Sequence, residues 1–192
     1  MNEKKTDRRI KRTEQAIFKS LSSLASQKPL TSITVTELCQ MADIHKSTFY
    51  LHYHDIHHCA EEFQKRLTTH ICSIIAKYEY RDLLERSGEI WGQIIEAYLS
   101  YDGMYLPFIK SNSFGSMLQD LETSIINTIM EKYQVSCPYA TEKEVLTHRI
   151  NVTFLINGYV GTLRSFDFAL LKDALSTQLP KSLLHGFSTK GS

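Results

Sequence analysis

The sequence predicts an all-α fold. Apolar residues recur three or four positions apart through most of its 192 residues, which is the spacing of one face of a helix. No stretch alternates apolar and polar residues for long enough to predict a strand, and we find no internal repeat. Pro29, Asp102-Gly103, Pro107 and Pro138 divide the chain into helical segments, because proline and glycine interrupt helices.

The first predicted helix covers residues 8–27. Four apolar residues spaced seven, four and three positions apart form one face of it: Ile10, Ile17, Leu21 and Leu24. Lys28-Pro29 ends the helix, because a proline disfavours helical backbone at the residue before it. We expect the apolar face to pack on the next two helices, which gives a three-helix head.

Residues 34–53, TVTELCQMADIHKSTFYLHY, predict two short helices joined by a tight turn. Thr34 is a good N-cap, and Glu37 completes a capping box in which each residue satisfies a backbone N–H of the other. Asp43 lies in the turn and is one of the few residue types besides glycine that tolerate positive φ. The second helix is polar except for Phe49, Leu51 and Tyr53. This layout is that of a helix-turn-helix, whose second helix enters the major groove of DNA.

The order T-V-x-E-L…A-x-I-x-K-x-T-F-Y-x-H-Y resembles the signature of TetR-type transcriptional regulators, over about residues 8–60. The resemblance implies that residues at the start of the second helix contact base edges and that Thr and Tyr hydroxyls bind phosphates. It also implies that Phe49 and Tyr53 pack in the core of the head. Carried over by position, the DNA-contact candidates are Thr34, Thr36, His45, Lys46, Ser47, Thr48, Tyr50 and His54.

One departure from the family pattern affects DNA binding. Ile56 stands where the family commonly has a phosphate-binding lysine at the start of the long fourth helix. Phosphate contacts dominate affinity for DNA, and the neutral imidazoles of His54, His57 and His58 replace a lysine poorly. A rival interpretation therefore stays open, in which the same fold acts through a protein or small-molecule partner with weak operator binding.

Charge is distributed unevenly although the net charge is only +1. Residues 1–57 contain nine Lys and Arg against six Asp and Glu, whereas residues 58–192 contain thirteen against fifteen. The excess lies in the first twelve residues: Lys4, Lys5, Arg8, Arg9, Lys11 and Arg12. Such a basic arm beside a helix-turn-helix is expected to contact phosphates. The alternative is a solvated, frayed terminus.

The rest of the chain predicts a helical body. Its predicted helices cover residues 55–78, 90–101, 117–133, 141–166 and 167–187, with a connection at 81–88, a loop at 111–116 and a kink at Pro180. We accordingly divide the chain into a DNA-binding domain, residues 1–54, and a ligand-binding and dimerisation domain, residues 55–192. In the resembled family the helix that begins near residue 55 links the two domains, and its tilt transmits the ligand signal.

The body is rich in aromatic side chains, most of which are expected to be core. Sites for small molecules also lie between helices of bundles, where apolar walls carry a few polar groups. The candidates for such a site, which would take a small apolar or amphipathic effector, are Trp91, Tyr98, Tyr101, Tyr105, Phe108, Asn127, Phe154 and Asn157.

Two glycines in the helix 141–166 indicate close helix packing, because glycine has no side chain to separate the backbones. They would pack either inside one subunit or across a dimer. The resembled family dimerises through its last two long helices, which lets two heads reach successive major grooves of a pseudo-palindromic operator. The candidates for this dimer seam are Gly158, Gly161, Leu175, Leu179 and Leu183.

Other classes of function find little support in the sequence. We find no nucleophile–base arrangement, glycine-rich phosphate loop or paired carboxylates with a supporting motif, and we expect neither an enzyme nor a cofactor. His54 and His58 share a helix face, but two ligands do not make a metal site. Four scattered cysteines, no signal peptide and no membrane-length apolar run predict a cytoplasmic protein with reduced thiols.

The resemblance as a whole implies a homodimeric transcriptional regulator, a repressor that a small ligand or partner releases from DNA. The segments H-Y-x-D before the long helix and G-x-x-G-T-L-R near residue 160 are also similar, more loosely, to the branch of the family that includes dihydroxyacetone-kinase regulators. No particular inducer follows from that similarity.

Overall fold

The structure, a computed structural model, describes residues 3–99, 105, 109–110 and 115–166. Regular structure in these residues is helical throughout, and no strand occurs among them, which confirms the all-α prediction. A 3-10 turn covers Leu30–Ser32. The α-helices are α1 (Glu3–Ala25), α2 (Val35–Met41), α3 (Lys46–Tyr50), α4 (Ile56–Ala76), α5 (Tyr80–Glu85), α6 (Ser87–Leu99), α7 (Gly115–Ser136) and α8 (Glu142–Ser165).

Helix α1 begins five residues before its predicted start and differs from the prediction in which residues it buries. Ile17, Leu21 and Leu24 are buried as predicted, but Ile10 is 41% exposed. Residues 8–12 are all exposed, so this part of α1 lies outside the core and leaves Ile10 partly open to solvent.

The predicted connection at residues 81–88 is wrong, because α5 covers Tyr80–Glu85 and α6 begins at Ser87. The polar sequence RDLLER shows little helical periodicity. Two interactions nevertheless support α5: an ion pair one turn apart between Arg81 and Glu85 at 2.8 Å, and the packing of Tyr80 described below. Helix α7 begins at Gly115, inside the predicted loop 111–116. The predicted final helix, residues 167–187 with Pro180, lies outside the described residues.

The chain forms two compact units, the first from Met1–Leu67 and Tyr98–Leu118 and the second from Thr68–Ala97 and Gln119–Ser192. Helix α4 begins in the first unit and ends in the second. The predicted division at residue 54 concerns DNA binding and regulation, and it stays a prediction.

The first unit is built on a chain of aromatic contacts. Ring centroids are 5.6 Å apart for Phe49 and Tyr53, 5.9 Å for Tyr53 and Phe18, and 5.0 Å for Phe18 and Phe63. Phe63 then stacks on Tyr105 at 4.9 Å. All five side chains are buried, so this chain joins α3 to α1 and α4 through the core.

A bidentate ion pair also joins α1 to α4 in this unit. Arg66 donates to both carboxylate oxygens of Glu14, over 3.0 and 2.6 Å, and its guanidinium lies 5.1 Å from the centre of the Phe18 ring. The parallel hydrogen bonds hold both side chains in one orientation. The pair therefore fixes the register of α1 along the first half of α4.

The second unit packs α5, α6, α7 and α8 by aromatic contacts. Trp91 of α6 stacks on Tyr159 of α8 with ring centroids 3.7 Å apart. The His148 ring of α8 stacks on Tyr133 of α7 at 4.0 Å, and its Nε2 lies 2.8 Å from the hydroxyl of Tyr80. Burial lowers the pKa of His148, so the neutral imidazole is the form that these contacts favour.

We predict that Tyr53→Phe raises the free energy of unfolding by about 1 kcal/mol. The Tyr53 hydroxyl is buried and has no hydrogen-bond partner among the described residues, and an unsatisfied buried polar group destabilises a fold by about 1–3 kcal/mol. Urea unfolding followed by circular dichroism measures the change. Phe49→Ala, at a fully buried ring of the same cluster, should instead lower the free energy of unfolding by about 3–5 kcal/mol. A destabilised Tyr53→Phe variant would show that the hydroxyl has a partner in solution.

Candidate nucleic-acid interface

The predicted capping box at the start of α2 is present. The backbone N–H of Glu37 donates to the Thr34 hydroxyl over 3.2 Å, and the backbone N–H of Thr34 donates to the Glu37 carboxylate over 3.1 Å. Lys28, which follows α1, donates to the other oxygen of that carboxylate over 2.6 Å. The hydrogen bonds from Lys28 and then from Thr34 lower the pKa of Glu37 to about 2. Glu37 thus holds the start of α2 against the end of α1.

The turn between α2 and α3 has the predicted geometry. Asp43 has a φ of 52°, and among the described residues no other non-glycine residue has a positive φ. The backbone N–H of Ile44 then donates to the carbonyl of Cys39 over 3.0 Å, which closes the turn. Helix α3 is shorter than the predicted helix, because it ends at Tyr50 and residues 51–52 form a turn. His45 is its N-cap and makes no side-chain capping bond.

Helix α3 has one buried face and one exposed face. Phe49 and Tyr53 are almost fully buried, and they pack in the aromatic core. The eight predicted DNA-contact residues, in α3 and near it, lie outside this core. Thr48 is half-buried, and seven are exposed: Thr34, Thr36, His45, Lys46, Ser47, Tyr50 and His54. The geometry therefore leaves these polar side chains accessible to a partner along α3 and the start of α2.

Leu51 lies among these polar residues but is not one of the predicted site residues. Its side chain is 83% exposed. Leu51 follows Ser47 by four positions, which is the spacing of neighbours on one helix face. It precedes the buried Tyr53 by two positions, so it points away from the core. This helical register is the feature of the sequence that indicates an outward-facing Leu51.

The residues around Ile56, at the start of α4, differ in burial and in hydrogen bonding. Ile56 is buried and belongs to the core. Asp55 caps α4, since its carboxylate accepts the backbone N–H of His58 over 2.8 Å. Nδ1 of His58 accepts the backbone N–H of His54 over 3.2 Å, and the two imidazoles stack at 4.8 Å. His58 is thus engaged locally, while His54 and His57 are exposed. Within the described part of the chain, no three His, Cys, Asp or Glu side chains could together hold a metal ion.

The predicted ligand-site residues fall into separate places. Tyr98 and Tyr105 are buried in the first unit. In the second unit Trp91 is half-buried against Tyr159, and Asn127 accepts a hydrogen bond from Arg149 over 3.3 Å. Phe154 and Asn157 are exposed on α8, and Tyr101 and Phe108 lie outside the described residues. The described candidates are thus divided between the two units, and an effector site made of them stays a prediction.

The two candidate seam glycines lie on an exposed face of α8. A Cβ atom added at Gly158 or Gly161 would meet no described atom within 4 Å. Packing within the described part of one subunit therefore does not require glycine at either position. The other three candidates, Leu175, Leu179 and Leu183, lie outside the described residues.

Three exposed apolar residues continue the glycine face toward the start of α8. Leu146, Ile150 and Phe154 are 59%, 58% and 64% exposed, and Gly158 follows at the same four-residue spacing. We call Leu146, Ile150, Phe154, Gly158 and Gly161 the α8 stripe. The two glycines belong to the seam predicted from the sequence, and the three exposed apolar residues extend the same face of α8.

Among the described residues, no helix combines the length and apolar composition needed to cross a membrane. No family model matches the chain, and no curated protein matches its sequence. A similar solved structure is that of the fatty acid degradation regulator FadR from Bacillus halodurans. It is 12% identical, with a TM-score of 0.53, and the similarity covers 93% of this chain and 97% of that one. At this identity the likeness concerns the fold alone.

We predict that Glu37→Gln lowers the melting temperature at neutral pH and that the difference from the wild type disappears in acid. The lowered pKa means that the Glu37 carboxylate stabilises the fold above its ordinary pKa of 4.5, and that this stabilisation is lost as the pH falls toward about 2. Glutamine keeps the capping geometry but cannot pair with the Lys28 ammonium.

Thermal unfolding between pH 2 and pH 7, followed by circular dichroism, measures this difference. Glu96→Gln, at an exposed carboxylate on α6, is the control and should stay close to the wild type throughout. A constant difference between Glu37→Gln and the wild type at every pH would contradict the assigned role of the ion pair.

Proposed function

We propose that this protein is a DNA-binding transcriptional regulator that reads DNA with α3. The observation that carries the proposal is the two-sided character of α3: Phe49 is fixed in the core while Lys46, Ser47 and Tyr50 are exposed. A helix held in this way can enter the major groove without disturbing the fold. The Lys46 ammonium can pair with guanine acceptors or phosphates, and the hydroxyls can bind phosphates.

The first turns of α1 support this proposal, because residues 8–12 are exposed and four of them are basic: Arg8, Arg9, Lys11 and Arg12. We propose that this segment supplies phosphate contacts. Such contacts would offset the missing lysine at position 56, where Ile56 is buried in the core. A protein of this kind should therefore bind DNA with a pronounced dependence on salt.

We further propose that the α8 stripe pairs with the same stripe of a second copy. A twofold interface uses one self-complementary patch, and a dimer would present two copies of α3 to a pseudo-palindromic operator, about 34 Å apart. Large exposed apolar residues in a row are a common mark of an interaction surface. No described atom lies within 4 Å of a Cβ atom added at Gly158 or Gly161, and this space would let the second helix approach closely.

The finer assignment follows from the resemblance to TetR-type regulators. We propose a cytoplasmic, ligand-responsive repressor whose helical body binds a small apolar or amphipathic effector. The similar solved structure is itself that of a regulator, which agrees with this class of function.

A second candidate function is favoured by the burial of Ile56. In this alternative the same fold acts through a protein or small-molecule partner and binds operator DNA weakly. The two candidates differ in a direct binding titration. A regulator binds selected DNA tightly, with a steep loss of affinity as salt rises, whereas the alternative binds weakly and without sequence preference.

We predict that Lys46→Ala weakens operator binding about tenfold or more and that Tyr50→Phe weakens it to a smaller extent. If Lys46 contacts a phosphate, the slope of log affinity against log salt should also become shallower by about one. Tyr50→Phe removes only the hydroxyl and keeps the edge contact with Phe49. Fluorescence anisotropy with DNA selected from a random pool, at several salt concentrations, measures both quantities.

The matched control is Lys143→Ala, which removes an exposed lysine from the start of α8 in the second unit. It should leave affinity and salt slope close to those of the wild type. Equal losses in Lys46→Ala and Lys143→Ala would indicate a general charge effect and would argue against α3 as the reading element.

We predict that Gly161→Leu shifts the protein from dimer to monomer without unfolding it. A Cβ atom added at Gly161 would meet no described atom within 4 Å, so the described part of the subunit has space for a side chain there, and the steric conflict is expected at the proposed seam. Analytical ultracentrifugation measures the mass, and circular dichroism checks the fold. Val135→Leu, at an 81% exposed position on α7, is the control. A folded Gly161→Leu dimer of unchanged stability would place the seam on another surface.

A further inference from the structure

Leu51 differs chemically from the side chains around it on the exposed face of α3. Its backbone N–H donates to the carbonyl of Ser47 over 3.2 Å, one turn earlier. The side chains of Ser47 and Leu51 therefore lie next to each other along the helix. Tyr50, beside it, is 55% exposed, and Leu51 is 83% exposed. Leu51 is thus an apolar side chain within a surface of hydroxyl, imidazole and ammonium groups.

An isolated exposed leucine is common on protein surfaces and needs no explanation by itself. Its position is what carries the inference here, because the proposed function places this face of α3 in the major groove. A leucine side chain has no hydrogen-bond donor or acceptor, so it can bind neither phosphate oxygens nor the polar edges of bases. The apolar group that base pairs present in the major groove is the C5 methyl of thymine.

We infer that Leu51 contacts a thymine methyl group and makes the protein select thymine at one position of each half-site. This inference rests on the proposed function and deepens it by naming a base and the atom that is read. Contact between the two apolar groups removes both from water, and one buried methyl group corresponds to about a fourfold change in affinity. The expected selectivity is therefore modest in size and specific to a single methyl group.

The test begins with DNA selected from a random pool by the wild-type protein. Each thymine of the selected half-site is replaced in turn by deoxyuridine, which pairs identically and lacks only the methyl group. Binding of every duplex is measured for the wild type and for Leu51→Ala. Because the side chain is exposed, its truncation leaves no cavity, and a circular dichroism melt of Leu51→Ala should match that of the wild type.

The expected result is that one deoxyuridine replacement weakens wild-type binding about fourfold and leaves Leu51→Ala binding unchanged. Leu51→Gln should replace the preference for thymine with one for adenine, because a glutamine amide can pair with adenine N6 and N7. Val135→Ala, which truncates an exposed apolar side chain on α7, should respond to deoxyuridine as the wild type does.

The failures of the two proposals are distinguishable. Sequence-selective binding in which Leu51→Ala loses as much affinity as the wild type at every deoxyuridine overturns the thymine inference and leaves the proposed function in place. Failure of the wild type to select any sequence from the pool overturns both.

Discussion

The position of α3 depends on the burial of one side chain, Phe49. Helix α3 has five residues and no side-chain N-cap, and isolated helices shorter than about 12–15 residues are marginal in water. Tertiary contacts must therefore hold it. Phe49 is fully buried and contacts Tyr53, which contacts Phe18 of α1 in turn. The burial of Phe49 fixes the orientation of α3. The positions of the exposed side chains of the candidate interface therefore depend on the aromatic core.

Helix α4 makes contacts in both units. In the first unit it contributes Phe63 to the aromatic core and is held to α1 by Arg66 and Glu14. In the second unit Lys132 donates a hydrogen bond to the carbonyl of Ala76, the last residue of α4, over 3.0 Å. Its two ends are thus fixed by separate contacts in separate units.

Much of the fold was predictable because it rests on local rules. The capping box of Thr34, the positive φ of Asp43 and the buried face of Ile17 and Leu21 each follow from neighbours within a few residues. The failures concern long-range packing. Whether Ile10 is buried depends on which helices lie nearby, and α5 is supported by the contact of Tyr80 with His148, which is 68 positions away. For the candidate site, the sequence indicated which residues of α3 are polar and, through the helical register, that Leu51 lies beside Ser47, but it did not indicate that Leu51 is 83% exposed.

The two glycines of α8 destabilise the helix, and the described contacts within one chain do not explain why glycine is present there. A glycine inside a helix destabilises it by about 0.5–1 kcal/mol relative to alanine, and α8 contains two within its last two turns. An added Cβ at either would meet no described atom, so alanine could occupy both positions at no steric penalty from the described residues. The loss in helix stability is understandable if another backbone approaches this face closely. In our proposal that backbone belongs to the second copy, and the same row of exposed Leu146, Ile150 and Phe154 supplies the apolar area that makes the approach favourable.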